Sequence, residues 1–207
     1  MIVKAVPSPK RALPKMARPT ALPRVLRPRR AAPADAVRPT RAEINLGHLR
    51  HNLKTVKRAA GRSRVFGVLK ADAYGHGAPA VARTLERSGI DGFCVALLEE
   101  AVELREAGIG APILVMGGYN GQAWGEVLAR GVTPVIYDVA QAEGLAREVR
   151  LAPMRSAGPV SVHFKIDTGM GRLGCELEQI PKVLERLRDI AEIRIEGLMT
   201  HLAGADD

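Results

Sequence analysis

The stretch VLKADAYGHG, Val68 to Gly77, places an amine, a phenol and two glycines within eight positions, right after the apolar run Val65-Phe66-Gly67-Val68-Leu69. Lysine is rarely buried without a partner. A lysine delivered by an apolar strand to a sheltered rim is partly stripped of water, and a desolvated amine is a nucleophile toward carbonyls. Lys70 is therefore a candidate for Schiff-base chemistry with a carbonyl substrate or an aldehyde cofactor. Tyr74 stands four residues on, where its hydroxyl would donate to a phosphate. Gly75 and Gly77 let backbone come close to such a group.

A second constellation lies in FKIDTGMGRLG, Phe164 to Gly174. A strand there brings Lys165 and Asp167 to a rim, and the Thr-Gly-Met-Gly turn presents Arg172, whose planar fork suits a carboxylate or a phenolate oxygen. Read alone, Lys165 is an ordinary strand lysine. A third candidate is His201, closing the apolar segment in MTHLA. His48, His51, His76 and His163 are secondary, with His76 shaping its loop and His163 structural in a strand.

These residues need elements to position them. From Glu43 onward the chain alternates. AEINL, 42–46, reads as a short strand, and GHLRHNLKTVKRAAG as a helix with Leu49, Leu53 and Val56 on one face and Gly61 as its stop. Strands are expected at Val65–Lys70, Phe93–Leu97, Ile113–Met116, Thr133–Tyr137, Val160–Asp167 and Ile193–His201. Helices are expected at about Pro79–Ser88, Glu99–Ala107, Gly121–Arg130, Val139–Arg150 and Leu177–Ile190. Continuously apolar strands alternating with helices mean parallel βα units, in a doubly wound sheet or a (β/α)8 barrel. In both architectures sites lie at the C-terminal strand ends, where Lys70, Arg172 and His201 fall. Only about six βα units are present. A six-strand arc leaves two edges unpaired, so the chain is expected to be a fragment of a longer protein.

The net charge of +9 points first to a polyanion partner. Its location removes that reading: residues 1–41 carry eleven of the Lys and Arg against one acid, Asp35, which leaves the remainder nearly neutral. Eight prolines from Pro7 to Pro39 make residues 1–40 a basic, proline-rich tail, expected to be disordered. The tail is at most a non-specific electrostatic arm or a targeting segment, and no nucleic-acid function is assigned to the body. At 3% aromatic content the chain has no stacking platform for single strands. Cys94 and Cys175 are too few for a disulfide framework, and neither has metal-ligand spacing. No stretch reaches the roughly 18 apolar residues of a membrane span. A cytoplasmic location is expected.

VLKADAYGHG closely resembles the pyridoxal-phosphate lysine motif of bacterial alanine racemases. AEINLGHLRHNL, FKIDTGMGRLG and EGLMTHLAGAD, the last being Glu196–Asp206, agree with that family in order and spacing. The resemblance covers about Arg41 to Asp207 and implies the first part of the pyridoxal 5'-phosphate-binding (β/α)8 TIM-type barrel, 41–207, without the family's C-terminal β-domain. It implies interconversion of L- and D-alanine, D-alanine supply for peptidoglycan, and a homodimer in the full-length protein. By the family pattern Lys70 is the Schiff-base lysine and one of two acid/base groups, serving the D-side face. Tyr74 binds the cofactor phosphate. Arg172 contacts the phenolic oxygen and the substrate carboxylate. Lys165 is carbamylated and orients Arg172, and His201 lies by the pyridine ring.

The family's second base is a tyrosine from the missing domain, contributed by the other subunit. None of Tyr74, Tyr119 and Tyr137 matches it. The 207-residue chain alone is therefore expected to be weakly active or inactive. Two rivals stand beside this reading. One is a non-catalytic pyridoxal-phosphate-binding barrel protein, which would keep the lysine and need no second domain. The other is a decarboxylase of the same fold, distinguished by an acid at the pyridine nitrogen in sequence that is not present.

Overall fold

The computed structural model describes residues 42–118, 123–152 and 158–205. The proline-rich tail, Tyr119 and the first two positions of the helix expected from Gly121 lie outside these residues. Helix α1, Leu46–Ala60, starts where Asn45 Oδ1 accepts the N–H groups of Gly47 and His48 at 2.8 and 3.1 Å. That cap corrects the strand expected at 42–46: residues 42–45 join no sheet, because the Asn45 side chain already serves the helix start. Gly61, at φ 60°, ends α1 as expected.

The strands are β1 Phe66–Val68, β2 Gly92–Val95, β3 Ile113–Val115, β4 Thr133–Ile136, β5 Val160–Lys165 and β6 Ile193–Met199. Each is shorter than its apolar run, because the last residues of the run turn toward the rim. The helices are α3 Ala78–Arg87, α4 Leu98–Glu106, α5 Trp124–Arg130, α6 Val139–Leu151 and α7 Ile180–Arg188, with a six-residue helical turn, α2, at Lys70–Gly75. The helix expected from Leu177 opens instead with a 3-10 turn, Leu177–Gln179, and α7 follows with Pro181 in its first turn, where a missing N–H is harmless.

The six strands form one sheet in the order β1-β2-β3-β4-β5-β6, and every neighbouring pair is parallel. That order decides between the two expected architectures. A doubly wound sheet reverses direction at a switch point, whereas here each strand adds on the same side of the last, the winding of a TIM-type barrel. The arc is a partial barrel.

Both faces of the sheet are apolar, which explains the unbroken hydrophobic strands. Phe93, Val95, Ile113, Val115, Val162 and Phe164 pack against the helices. Cys94, Leu114, Val135 and Met199 form a second cluster on the other face. Burial pushes the Cys94 thiol up to about 12, so it is an inert core group. Arg105 fastens the opposite end from the strand C-termini. Its guanidinium donates to the carbonyls of Ile109 at 2.8 Å, Ala111 at 2.7 Å, Arg130 at 3.0 Å and Gly131 at 3.2 Å.

Candidate active site

Lys70 does not end a strand, as the apolar run suggested; it opens α2. Ala71, Asp72, Ala73 and Tyr74 have φ between 52° and 56° and ψ between 38° and 53°, a left-handed turn built from four residues that all carry a Cβ. For the two alanines and the tyrosine this conformation is disfavoured by about 1–2 kcal/mol each, so the surroundings must hold it. They do so from three sides. Glu100 Oε1 accepts Ala71 N–H at 2.6 Å. Asp72 Oδ1 accepts Ala78 N–H at 2.6 Å, tying the turn to the start of α3. His76 Nδ1–H donates to the carbonyls of Ala73 and Tyr74 at 2.8 and 3.1 Å, the loop-shaping role expected of it.

The loop after β5 is organised by one carboxylate. Asp167 Oδ1 accepts Gly169 N–H and Gly171 N–H at 2.9 and 3.1 Å, and Oδ2 accepts Arg172 N–H at 3.2 Å. These backbone donors, Gly171 first, hold the Asp167 carboxyl below the usual carboxylate range. The loop closes through Asp167 N–H to the Cys175 carbonyl and Cys175 N–H to the Lys165 carbonyl, both at 2.9 Å. Gly174 sits in this closure at φ 140°, where a Cβ would lie 2.5 Å from the Asp167 nitrogen. The hydroxyls of Thr168 and Thr200 share a 2.7 Å hydrogen bond and join this loop to the end of β6.

Four of the five sequence candidates meet. Lys70, Lys165, Arg172 and His201 line one cavity of about 200 Å³, floored by Met116, Gly117 and Met199. A Cβ on Gly117 would collide with the Ala96 carbonyl, so the floor needs a glycine. Lys165 is 4% exposed, and among the described residues no carboxylate lies within salt-bridge distance of it. Burial, then the Arg172 charge, lower the Lys165 pKa, and Asp167 opposes them. His201 is likewise pushed below its ordinary value, by desolvation first and then by Arg172, Lys165 and Lys70. The cavity lining thus gathers cations and, among the described residues, no carboxylate, with Asp167 acting from outside it, the electrostatics of a site for an anion.

Tyr74 is the candidate that the structure sets apart. The Lys70 Nζ lies 5.7 Å from its ring centroid, yet the side chain is 59% exposed. It lines a neighbouring cavity of about 430 Å³ with His48, Asn52 and His76. His163 is buried at 9% exposure with no hydrogen-bond partner for Nδ1. Its ring meets Gly197 on β6. The sequence reading missed Glu100 altogether. The available signal was a glutamate three residues into a helix start that follows a strand.

The model for the N-terminal domain of alanine racemases matches residues 44–207. The alanine racemase of Sorangium cellulosum strain So ce56 is 59% identical over 176 residues, covering 82% of this chain and 46% of that protein. Alanine racemase 2 of Caldanaerobacter subterraneus subsp. tengcongensis is 39% identical over 84% of this chain and 44% of its own length. Among solved structures, the alanine racemase of Clostridium difficile 630 in complex with cycloserine superposes with a TM-score of 0.73 at 37% identity, over 83% of this chain and 47% of that one. A histidine racemase from Leuconostoc mesenteroides superposes with a TM-score of 0.70 at 26% identity, over 78% and 42%. The chain spans a little under half the length of the curated relatives it matches. Barrel winding, the crowded cations at the strand ends and a family match that runs through every one of those residues agree, and the chain belongs to the alanine racemase family, to its N-terminal barrel domain.

Proposed function

We propose that this chain is the cofactor-binding part of a pyridoxal 5'-phosphate-dependent enzyme that interconverts L- and D-alanine. The observation that carries the reading is the gathering of Lys70, Lys165, Arg172 and His201 around one cavity whose described lining holds no carboxylate. The residues fit the cofactor: an amine for its aldehyde, cations for an anion, and at Gly117 a cavity wall with no side chain.

When bound, the cofactor supplies an electron sink that acidifies the substrate Cα–H. The residues of this chain do the rest. Lys70 would hold the cofactor through its aldehyde, and its amine would take or return the substrate proton on the D-side face. Tyr74, which lines the neighbouring cavity, would donate its hydroxyl to the phosphate from that side. Arg172 binds the substrate carboxylate and the phenolic oxygen. Lys165, buried beside Arg172 with its amine pKa lowered, would take up carbon dioxide as a carbamate with loss of a proton, and that anion would fix the guanidinium. His201, on the same cavity wall as Lys70, would help hold the cofactor ring. Residues 41–207 are assigned to this barrel part and residues 1–40 to a basic tail by composition; the full-length enzyme is a cytoplasmic homodimer that supplies D-alanine for peptidoglycan. A second amino-acid substrate is a reading that the histidine racemase neighbour favours.

Two measurements test the proposal. Borohydride reduction of the chain with pyridoxal phosphate, followed by peptide mapping, is expected to label Lys70 and to fail in Lys70→Ala. Label on another lysine, or on none, overturns it. The loaded chain is also expected to exchange the α-proton of D-alanine for deuterium faster than that of L-alanine or of histidine. Exchange that favours histidine selects the second reading, and loss of the carboxyl group as carbon dioxide selects a decarboxylase. Binding with no exchange by the full-length enzyme on any amino acid selects a non-catalytic carrier.

A further inference from the structure

Glu100 accepts three backbone donors with one carboxylate. Oε1 takes Ala71 N–H at 2.6 Å, and Oε2 takes Ala96 N–H and Leu97 N–H at 2.8 and 2.9 Å. It sits in the first turn of α4, on a helix whose start is fixed by β2. Ala96 also lines the cavity that holds Lys70. The contact to Ala71 crosses 29 residues of sequence to reach the amide that follows the lysine. Ala71 is the first of the four left-handed residues. The β1 end has its own tie, Leu69 N–H to the Cys94 carbonyl at 2.8 Å, so Lys70 is bracketed by two anchors, Cys94 on β2 before it and Glu100 on α4 after it.

We propose that Glu100 is a positioning residue that sets the Lys70 amine by holding the left-handed turn against its own backbone preference. The inference rests on the reading of Lys70 as the amine that captures pyridoxal phosphate. The carboxylate is suited to this task because it is acceptor-only: all three donors point at it, and no proton on it faces another. An amide of the same shape presents two hydrogens, so either the Ala71 donor or the Ala96 and Leu97 pair must face a donor. With the pair retained by the amide oxygen, Ala71 N–H loses its acceptor. Its backbone is then free to return to negative φ, which swings the side chain of the residue before it.

The test compares the 207-residue chain with Glu100→Gln, Glu100→Asp and the double variant Ala71→Gly/Glu100→Gln. The aspartate keeps a carboxylate in the first turn of α4 and falls one methylene short of Ala71, so it decides the matter if the glutamine variant fails to fold. Two readouts are taken. One is amide hydrogen exchange in the 69–75 peptide. The other is the rate at which borohydride traps pyridoxal phosphate on Lys70, with Lys54 and Lys57 as internal references. Loss of a hydrogen bond to a charged acceptor is worth about a tenfold change or more. Glu100→Gln is therefore expected to speed exchange at Ala71 about tenfold and to slow labelling at Lys70 similarly, with the reference lysines unchanged. Glycine at position 71 occupies positive φ freely, and the double variant is expected to regain part of the lost rate. A merely structural glutamate would slow nothing at Lys70 alone and would not be rescued by a glycine.

Unchanged labelling in Glu100→Gln, or a double variant no faster than it, overturns the inference while the cofactor reading stands. Failure of the parent chain itself to label Lys70, with Lys54 and Lys57 reacting, overturns both.

Discussion

Replacing alanine by glycine inside a helix normally weakens it by roughly 0.5–1 kcal/mol. At Ala71 the opposite sign is expected. Its φ of 52° is disfavoured for a residue with a Cβ by about 1–2 kcal/mol, and glycine removes that penalty. Glycine also loses more backbone freedom on folding, about 0.5–1 kcal/mol, so the balance is a gain of about 0.5 kcal/mol. The matched control is Ala80→Gly. Ala80 is also exposed, but it lies in α3, a right-handed helix, and its replacement is expected to lose about 1 kcal/mol. The two variants should therefore differ by about 1.5 kcal/mol, or about 3–6 °C in midpoint for a chain of this size. Denaturant unfolding of both, with the slope checked for constancy, reads this directly. A loss at Ala71 equal to the loss at Ala80 would refute the left-handed turn. The stabilised variant keeps the same turn, because glycine adopts that φ freely, and should label Lys70 with pyridoxal phosphate at the parent's rate or faster.

Acidification provides another check. His201 has a folded pKa below its ordinary value of 6.5, so the unfolded chain binds its proton first, and stability is lost as the pH falls from about 6.5 toward the folded pKa; His201→Gln should flatten that part of a midpoint-versus-pH curve. Arg105→Met removes the donor of four carbonyl hydrogen bonds and is expected to destabilise by about 3–5 kcal/mol, measured by denaturant unfolding, with Lys70 labelling of the folded fraction unaltered because the residue sits at the other end of the strands. Gly174→Ala places a Cβ against the Asp167 nitrogen at a φ of 140° and should undo the loop that carries Arg172, read as weakened pyridoxal phosphate binding together with a lower thermal midpoint.

Much of this was legible in the sequence, for identifiable reasons. Runs such as Phe93–Leu97 and Ile113–Met116 are apolar on both strand faces because Phe93 and Val95 meet helices while Cys94 and Leu114 pack on the other side. Parallel strands put their C-terminal ends at one rim, so Lys165, Arg172 and His201 were brought together by topology as well as by motif. The strand expected at 42–46 failed because Asn45 serves a cap, a contact that local alternation does not reveal. The left-handed turn was illegible for a deeper reason. Nothing in Ala-Asp-Ala-Tyr signals positive φ, and the groups that enforce it, Glu100 and the start of α3, act from 29 and 6 residues away. The exposed setting of Tyr74 follows from that same turn and was equally hidden.

Strain and uncompensated charge therefore occupy the same rim, and each has its cause in the other's neighbourhood. Lys165 is buried next to Arg172 with only Asp167 to oppose the repulsion, and Asp167 already spends its oxygens on the backbone of the loop that carries Arg172. The carboxylate cannot turn toward Lys165 without releasing that loop. Likewise Glu100 cannot leave Ala71 without letting the Lys70 turn unwind. Asp167 and Glu100 are thus committed to backbone geometry, and among the described residues Lys70 and Arg172 stand at the cavity without an ion-pair partner. Families that hold an anionic cofactor need this division of labour: acids fix the loops from outside, cations face inward, and the cavity stays positive until the ligand arrives.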